Sequence, residues 1–387
     1  GRYAAGNTGL DGPFHRGART GTVDRITVIE LELPYANEQS FVVRSVGFLR
    51  YALRAVVLGM RLDYDVLFAT STPLTAGIPG IVARWLRRKP FVFEVRDLWP
   101  ELPRAMGVIR NGFVLGALGV LERLTYRSAH ALVALAPGIA EGIIESGVDP
   151  RRVALIPNGC DVELFGVDDS GGEKPGDSAQ SAGASQTNHR LVAAYTGAHG
   201  IANGLDAVIN AARVLHRRGR TDVVIKLVGQ GMKKAELQTS AKDLDNVVFI
   251  DSMPKTELAH FMRGVDVGIQ SLANVPAFYR GTSPNKFFDY LAQGKAVIVN
   301  YPGWVANLVA THACGFVVPP EDAELFANAL EQAADDKERT TSMGEASRRL
   351  ATWFSRDRLA ESFVEVLERV SAGRFEVQDL GLPERMD

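Results

Sequence analysis

Residues 280–300 read RGTSPNKFFDYLAQGKAVIVN and predict a short helix followed directly by a buried strand. Ser283 suits the N-cap of this helix and Pro284 its first position, since a serine hydroxyl accepts from free amides and proline has no amide to satisfy. Gly294 is predicted to end the helix, because glycine readily adopts the left-handed backbone that follows one. The apolar run AVIVNY (296–301) is typical of a strand in a parallel sheet.

The same helix-and-strand unit repeats through the second half of the chain. Strands are predicted at RLVAAYTG (190–197), VVIKLVG (223–229), NVVFID (246–251), VGIQSL (267–272), AVIVNY (296–301) and GFVVP (315–319). Helical patterns separate these runs. Strands that alternate with helices in this way form βαβ units and a parallel sheet.

The first half shows a similar alternation. Buried strands are predicted at VDRITVIELEL (23–33), YDVLFATS (64–71), PFVFEVRD (90–97), HALVALA (130–136) and RVALIPNG (152–159), and helices over 41–61, 76–88, 111–128 and 137–146. Residues 168–189 are rich in Gly, Ser, Ala and Asp without apolar spacing, which indicates a flexible linker or insertion. The sequence therefore predicts an α/β protein of two Rossmann-like domains with a cleft between them, and ligands beyond the carboxyl ends of the strands.

The amino-acid composition excludes several classes of protein. The 387 residues carry 43 Lys+Arg and 45 Asp+Glu, a net charge of −2, which argues against a nucleic-acid binder. Two cysteines, Cys160 and Cys314, are too few for a disulfide framework and favour the cytosol. No apolar run reaches the roughly 18 residues of a membrane span, and the start of the chain does not resemble a signal peptide.

The predicted helix after Ser283 has the features of a phosphate site. Its first amides, at Asn285 and Lys286, have no partner within the helix, and a helix N-terminus carries partial positive charge. Lys286 adds a full charge, and Asp289, on the same face, can accept hydrogen bonds from two vicinal hydroxyls. This arrangement fits a diphosphate followed by a ribose. A capped helix with a solvated Lys–Asp pair explains the same residues equally well.

This segment, with IPNGCDVELF (156–165) and FEVRDLWPELP (93–103), resembles the retaining glycosyltransferases of family 4 over nearly the whole chain. The subgroup that it most resembles builds bacterial surface polysaccharides, including O-antigens, on polyprenyl-diphosphate lipids. The resemblance implies a GT-B fold, two facing Rossmann-like domains, with a nucleotide-sugar donor held mainly by the C-terminal domain. UDP is the nucleotide that it favours, with an N-acetylated amino sugar as the transferred group, and it implies no cofactor.

The family pattern assigns roles to the donor-binding residues. Asp289 falls on the second Glu of the family's Glu-x7-Glu motif, the ribose ligand, while Gly281 stands where the first Glu is expected. Gly197 and Gly204, within YTGAHGIANGLDAV (195–208), fall on the glycines of the first donor-domain loop. Ser283, Pro284 and Asn285 complete the expected donor-binding segment.

The diphosphate-binding Arg and Lys of that loop are replaced here by Ala198 and Asn203. Lys286 is therefore expected to supply the missing charge and to act in catalysis, and Lys233 is a second candidate. In the other domain, Arg96 stands where many relatives have a His before Asp97, and these two are expected to face the donor sugar and the acceptor.

The resemblance also suggests domain limits. We expect an N-terminal acceptor-side domain over 1–167, a linker over 168–189, a donor domain over 190–352, and a C-terminal helix and tail over 353–387 that pack back on the N-terminal domain. On that comparison the chain lacks the family's first strand and glycine-rich loop, so we expect an open sheet edge.

Two other motifs are weaker. Asp63-x-Asp65 resembles the metal-binding pair of the other large glycosyltransferase fold, but it precedes a strand, so a solvated strand entry is favoured. Gly229-x-Gly231 begins like a dinucleotide fingerprint, but position 234 is Lys. We therefore expect neither a nicotinamide cofactor nor a metal.

Arginines recur at helical spacing in the first half. Arg50, Arg54 and Arg61 share one stripe, and Arg84 with Arg88 and Arg123 with Arg127 form i,i+4 pairs. Such helices suit an anionic membrane surface and a lipid diphosphate, although an ordinary solvated face is equally compatible with the spacing. With the resemblance, this predicts a cytoplasmic protein that is peripheral on the inner membrane.

The sequence thus predicts a metal-independent retaining glycosyltransferase that uses a nucleotide-sugar donor and a lipid-linked glycan acceptor. Two alternatives stay open: a nucleotide-sugar 2-epimerase, which shares the GT-B fold, and a non-catalytic nucleotide-sugar-binding protein.

Overall fold

The computed structural model describes residues 8–33, 41–71, 73–165 and 190–382. The chain divides into two compact units. Unit 1 comprises Gly1–Ala134, Ala140–Ala154 and Glu365–Asp379, and unit 2 comprises Leu135–Ile139, Leu155–Val364 and Leu380–Asp387. The linker predicted at 168–189 lies outside the described residues.

The division departs from the predicted limit at residue 167, because residues 155–165 belong to unit 2. Hydrogen bonds explain this assignment. The Asn158 side-chain amide donates to the Ser283 carbonyl over 2.6 Å, and the Cys160 amide donates to the Phe354 carbonyl over 2.8 Å.

The secondary structure alternates as predicted through most of the chain. The strands are β1 (Ala18–Val23), β2 (Ile26–Leu31), β3 (Leu67–Thr70), β4 (Phe91–Val95), β5 (Ala131–Ala134), β6 (Val153–Leu155), β7 (Leu191–Thr196), β8 (Val223–Val228), β9 (Val247–Ile250), β10 (Val267–Gln270), β11 (Ala296–Val299) and β12 (Gly315–Val317). The α-helices are α1 (Phe41–Arg61), α2 (Gly77–Leu86), α3 (Glu101–Ala105), α4 (Gly112–Ser128), α5 (Pro137–Glu145), α6 (Val162–Phe165), α7 (Leu205–Arg217), α8 (Lys234–Ser240), α9 (Lys255–Arg263), α10 (Pro276–Gly281), α11 (Asn285–Ala292), α12 (Trp304–Thr311), α13 (Ala323–Asp335), α14 (Lys337–Ala351) and α15 (Arg356–Ser371). Short 3₁₀ turns lie at Leu74–Ala76, Pro150–Arg152, Ile201–Asn203 and Thr352–Phe354.

Unit 2 contains a six-stranded sheet in the order β12-β11-β10-β7-β8-β9, with parallel neighbours throughout. Counted from β7, this is the doubly wound 3-2-1-4-5-6 order of a Rossmann fold. The strand order reverses between β7 and β10. The carboxyl ends of these two strands therefore form the switch point where such sheets bind ligands.

Both faces of this sheet are covered, which explains why its strands are apolar at successive positions. One face packs against α7, α8 and α13 in a single core that includes Ile225, Ile269 and Ile298. On the other face α11 packs against β10, where a Cβ added at Gly268 would lie 2.5 Å from the Tyr290 ring. A glycine in β10 thus allows α11 to approach the sheet closely.

Unit 1 contains a four-stranded sheet in the order β3-β4-β5-β6. Strands β4 and β5 are buried at nearly every position, as predicted. The expectation that 64–71 forms a buried strand is wrong in part, because β3 lies at the sheet edge and Phe68 remains 39% exposed.

The prediction of one buried strand over 23–33 is also wrong. This stretch holds the turn and second strand of an antiparallel hairpin, β1–β2, which forms a separate two-stranded sheet. Asp24 and Arg25 form the turn with φ of 47° and 67°. The buried Glu30 carboxylate pairs with Arg19 at 2.7 Å across the hairpin, which accounts for a charged residue inside an apolar run.

Candidate functional site

Two glycine-containing loops meet beside the switch point of unit 2. The loop after β7 begins at Gly197, and the loop after β8 contains Gly229 and Gly231. A Cβ added at Gly229 would lie 1.9 Å from the Gly197 carbonyl oxygen, and one at Gly231 would lie 2.4 Å from the His199 carbonyl oxygen. The loops therefore pack backbone against backbone, and this approach requires glycine.

Helix α11 begins beside these loops, but its cap differs from the prediction. Pro284, not Ser283, occupies the N-cap position, and Asn285 is the first helical residue. The Ser283 hydroxyl instead accepts a 3.1 Å hydrogen bond from the Asn158 amide. The first amides of α11 are thus left without a side-chain cap. At the other end Gly294 adopts φ of 62° directly after the helix, as the sequence predicts.

Tyr290 anchors α11 to the end of β7. The Thr196 amide donates to the Tyr290 hydroxyl over 2.9 Å, and the two hydroxyls lie 3.1 Å apart. Residues four apart share a helix face. Because Lys286 lies four residues before Tyr290, this contact directs Lys286 toward the loop after β7. Sequence analysis did not predict this contact, because Tyr290 occupies what looks like an ordinary apolar position of the helix.

Lys286 reaches the start of the loop after β7. Its ammonium lies 4.7 Å from the centre of the Tyr195 ring, and a Cβ added at Gly197 would be 2.9 Å from the Lys286 Cε. Within the described part of the chain, neither an ion pair nor a hydrogen bond of this ammonium is found. Its burial lowers the pKa of Lys286 to about 8.

Asp289 faces a different neighbour. Its Oδ1 lies 3.9 Å from the Lys255 ammonium and accepts no hydrogen bond from the described residues. Burial raises the pKa of Asp289 to about 6, and the charges of Lys255 and Arg356 limit the rise. Asp289 is thus a carboxylate with unused acceptor capacity one turn along α11 from Lys286. Sequence analysis missed Lys255.

Lys233 is less available to bind a diphosphate than the sequence predicts. Its ammonium forms an ion pair with Glu236 within the first turn of α8, and this pairing raises its pKa. The adjacent Lys234, which sequence analysis did not single out, donates to the Gly229 carbonyl over 2.9 Å and pairs with Asp251 at 2.6 Å. Lys233 and Lys234 therefore have carboxylate partners, whereas the ammonium of Lys286 has none among the residues that the structure describes.

Gly204 ends the loop after β7 in a left-handed conformation, with φ of 56°. A Cβ there would lie 2.6 Å from the Ala273 amide nitrogen, in the loop after β10. Gly204 thus allows the loops after β7 and β10, which flank the switch point, to approach each other closely. This is a structural reason for the glycine that does not require a ligand.

Arg96 and Asp97 follow β4 in unit 1. The Arg96 amide donates to the Ser71 hydroxyl over 2.8 Å, and its guanidinium lies 3.6 Å from the Glu94 carboxylate. These contacts fix the backbone where β4 ends and leave the Arg96 side chain 38% exposed.

The Asp63-x-Asp65 pair lies before β3, at a strand entry. Asp63 is 98% exposed and lies 3.6 Å from Lys89. Over residues 8–33, 41–71, 73–165 and 190–382, no three His, Cys, Asp or Glu side chains are grouped to hold a metal ion.

Two family models match the chain in succession. Residues 9–159 match a glycosyl transferase 4-like domain, and residues 182–350 match the glycosyl transferases group 1. Together they span most of both units. The chain belongs to the glycosyltransferases of the GT-B fold. No curated protein matches it.

Solved structures share this fold at low identity. Sucrose-phosphate synthase from Thermosynechococcus elongatus is 15% identical, with a TM-score of 0.70, over 93% of this chain and 87% of that one. Anabaena HepE, solved with UDP-glucose, is 17% identical, with a TM-score of 0.62, over 85% and 84%. A Listeria monocytogenes protein described as a candidate UDP-N-acetylglucosamine 2-epimerase is 11% identical, with a TM-score of 0.56, over 91% and 86%.

Proposed function

We propose that this glycosyltransferase takes a sugar from a UDP-linked donor, with retention of anomeric configuration, and transfers it to a polyprenyl-diphosphate-linked glycan in bacterial surface-polysaccharide synthesis. An N-acetylated amino sugar is the group that we favour. The observation that carries the proposal is the unneutralised ammonium of Lys286 at the switch point of unit 2. HepE, which shares the fold, was solved with UDP and with UDP-glucose.

In this proposal the donor binds to α11 and to the loop after β7. The free amides at Asn285 and Lys286 and the Lys286 ammonium bind the diphosphate. The Asp289 carboxylate accepts hydrogen bonds from the two ribose hydroxyls. Gly197 and Gly204 shape the loop that covers these groups, while Ser283 and Pro284 set the start of α11. Lys233 is a weaker donor contact, because Glu236 already pairs with it.

The chemical step is stabilisation of the leaving group. The bond from the anomeric carbon to the diphosphate oxygen breaks, and negative charge grows on the diphosphate. The Lys286 ammonium and the helix amides neutralise that charge. The acceptor hydroxyl forms the new bond from the same face, and its proton passes to the departing diphosphate oxygen. Arg96 and Asp97 orient the acceptor in this proposal.

Membrane association would bring the enzyme to a lipid-linked acceptor. No helix in the described part of the chain is long and apolar enough to cross a bilayer. Two helices of unit 1, α1 and α4, nevertheless expose apolar side chains. On α1 the exposed stripe comprises Val46, Leu49, Leu53, Val57 and Met60, and on α4 it comprises Phe113, Val120 and Leu124.

Arginines border both stripes. By helical position, Arg50 and Arg54 flank the stripe on α1, and Arg123 and Arg127 flank the one on α4. Exposed apolar residues beside basic ones are typical of helices that lie in an anionic membrane surface. We infer that unit 1 docks there and that the enzyme is peripheral on the cytoplasmic face.

An epimerase is the second candidate, since the Listeria protein shares the fold. Epimerisation needs acid–base carboxylates beside the sugar, and Gly281 stands where the family pattern has one. A non-catalytic nucleotide-sugar-binding protein is the third.

Turnover of a UDP-sugar panel with and without a polyprenyl-diphosphate glycan separates the three. A transferase releases UDP and extends the glycan only when the acceptor is present, whereas an epimerase converts the donor without acceptor. A binding protein shows affinity with no turnover in either condition. We expect the first result, and either of the others would overturn the proposal.

A further inference from the structure

The Lys286 ammonium is held in an unusual way for a cation that is partly withdrawn from solvent. Buried ammonium groups are normally paired with a carboxylate. Here the ammonium lies against the face of Tyr195, 4.7 Å from the ring centre to Nζ, and close to Gly197. Burial alone accounts for the lowered pKa of Lys286, and no charged side chain contributes to it.

We propose that Tyr195 is a positioning residue that holds the Lys286 ammonium over Gly197 without neutralising it. This inference rests on the proposed function, in which Lys286 binds the donor diphosphate. A carboxylate in the place of the ring would cancel the charge and compete with the phosphate. An aromatic face attracts a cation through its quadrupole but carries no net charge, so the ammonium stays available to an anion.

Burial and one hydrogen bond hold the Tyr195 side chain in place. The side chain is fully buried, and its hydroxyl donates to the Ala198 carbonyl over 2.9 Å. The same residue therefore fixes the first turn of the loop after β7 and supports the ammonium above it. Gly197 completes the arrangement, because a Cβ there would lie 2.9 Å from the Lys286 Cε and 3.3 Å from its Nζ. On this view Gly197 makes room for the lysine as well as for the loop.

A double-mutant cycle tests the inference. UDP affinity is measured by calorimetry for wild type, Tyr195→Leu, Lys286→Met and the double variant, with Tyr195→Phe as the variant that keeps the ring. We expect Tyr195→Leu to weaken UDP binding about fivefold to tenfold and Tyr195→Phe to stay within about threefold of wild type. In the Lys286→Met background, Tyr195→Leu should have almost no further effect.

The outcomes separate the inference from the proposed function. An equal cost of Tyr195→Leu with and without Lys286 overturns the inference alone. Unchanged UDP affinity in Lys286→Met overturns both, because Lys286 would then not bind the diphosphate. A pH series adds a readout that a purely structural role would not move. The alkaline loss of affinity should begin at lower pH in Tyr195→Leu than in Tyr195→Phe, since the ring favours the charged amine.

Tyr195 lies in the core, so the fold of Tyr195→Leu is checked first by thermal unfolding. Tyr195→Met, which fills the space with a flexible side chain but has no ring, serves as a second variant. It should weaken UDP binding, and this cost should almost disappear in Tyr195→Met/Lys286→Met. An undiminished cost in the double variant would contradict the proposed role of the ring.

Discussion

At the scale of single residues, the site depends on two half-buried charged side chains on one short helix. Lys286 and Asp289 lie one turn apart on α11 and contact different neighbours, Tyr195 and Lys255. Each keeps capacity for a ligand. The lysine has no anionic partner among the residues described, and Oδ1 of the aspartate accepts no hydrogen bond there.

Asp289→Asn should weaken UDP binding tenfold or more without unfolding unit 2. The substitution keeps the shape but removes a charge-assisted acceptor, and each such hydrogen bond contributes about 1.5–3 kcal/mol. Calorimetry with UDP measures the affinity, and circular dichroism checks the fold. Asp243→Asn, a charge loss at an exposed position between α8 and β9, is the matched control. Equal affinities in Asp289→Asn and wild type would exclude Asp289 as the ribose ligand.

Affinity for a UDP-sugar should pass through a maximum between about pH 6 and pH 8. Asp289 has a pKa of about 6, so its carboxylate protonates as the pH falls below that value and no longer accepts two hydrogen bonds. Lys286 has a pKa of about 8, so its charge is lost as the pH rises above it. The charged groups around Asp289 are Lys255, Arg356 and Asp161.

Variants show which residue causes the loss of affinity on the acid limb and on the alkaline limb of this pH profile. A UDP-sugar is the probe, because its diphosphate does not titrate in this range. Lys286→Arg should flatten the alkaline limb, since a guanidinium stays protonated, and should leave the acid limb in place. Asp289→Asn should do the reverse. An alkaline limb that persists in Lys286→Arg would mean that another group titrates there.

At the scale of elements, the sequence predicted most of the fold. The strands of unit 2 begin and end within one or two residues of their predicted limits, and α1 spans 41–61 as expected. The reason is physical, because strands buried on both faces must be apolar at successive positions. The hairpin was missed because Asp24 and Arg25 form its turn without the Asn or Gly that normally marks one.

The candidate site could be predicted from the sequence only in part. A charged residue near the N-terminus of a predicted helix can be recognised from its position, and Lys286 and Asp289 were singled out in this way. Tyr195, Tyr290 and Lys255 were not, because their roles arise from contacts between residues far apart in the chain. The N-cap was misassigned because Asn158, distant in sequence, takes the Ser283 hydroxyl.

Charge reversal on the helices of unit 1 should abolish membrane binding. Replacing Arg50 and Arg54 of α1 and Arg123 and Arg127 of α4 by Glu removes attraction of about 1 kcal/mol per residue near an anionic surface, and salt weakens it further. Cosedimentation with phosphatidylglycerol-containing vesicles at low salt is the measurement, and UDP binding should be unchanged. Reversal of Arg217, Arg339, Arg348 and Arg349 in unit 2 is the control. If the wild-type protein does not sediment with these vesicles, the exposed stripes serve another purpose.

At the scale of the whole molecule, we expect transfer to proceed without a divalent metal. The charge on the leaving group is met by Lys286 and the helix amides, and the Asp63-x-Asp65 pair lies at the entry of β3, away from the carboxyl ends of the strands. Transfer rates in excess EDTA should equal those with magnesium. A strict metal requirement would contradict this account of how the diphosphate is neutralised.

The central claim is that Lys286 neutralises the departing diphosphate, and steady-state transfer kinetics of Lys286→Ala test it most directly. Charge on the diphosphate grows in the transition state, so the loss should appear in kcat more than in donor binding. We predict that kcat falls by about 10²–10³, as when one preorganised donor is removed. Lys233→Ala, whose ammonium is already paired with Glu236, should lose far less. Near-wild-type turnover in Lys286→Ala together with an inactive Lys233→Ala would place the diphosphate on the other loop and contradict the account.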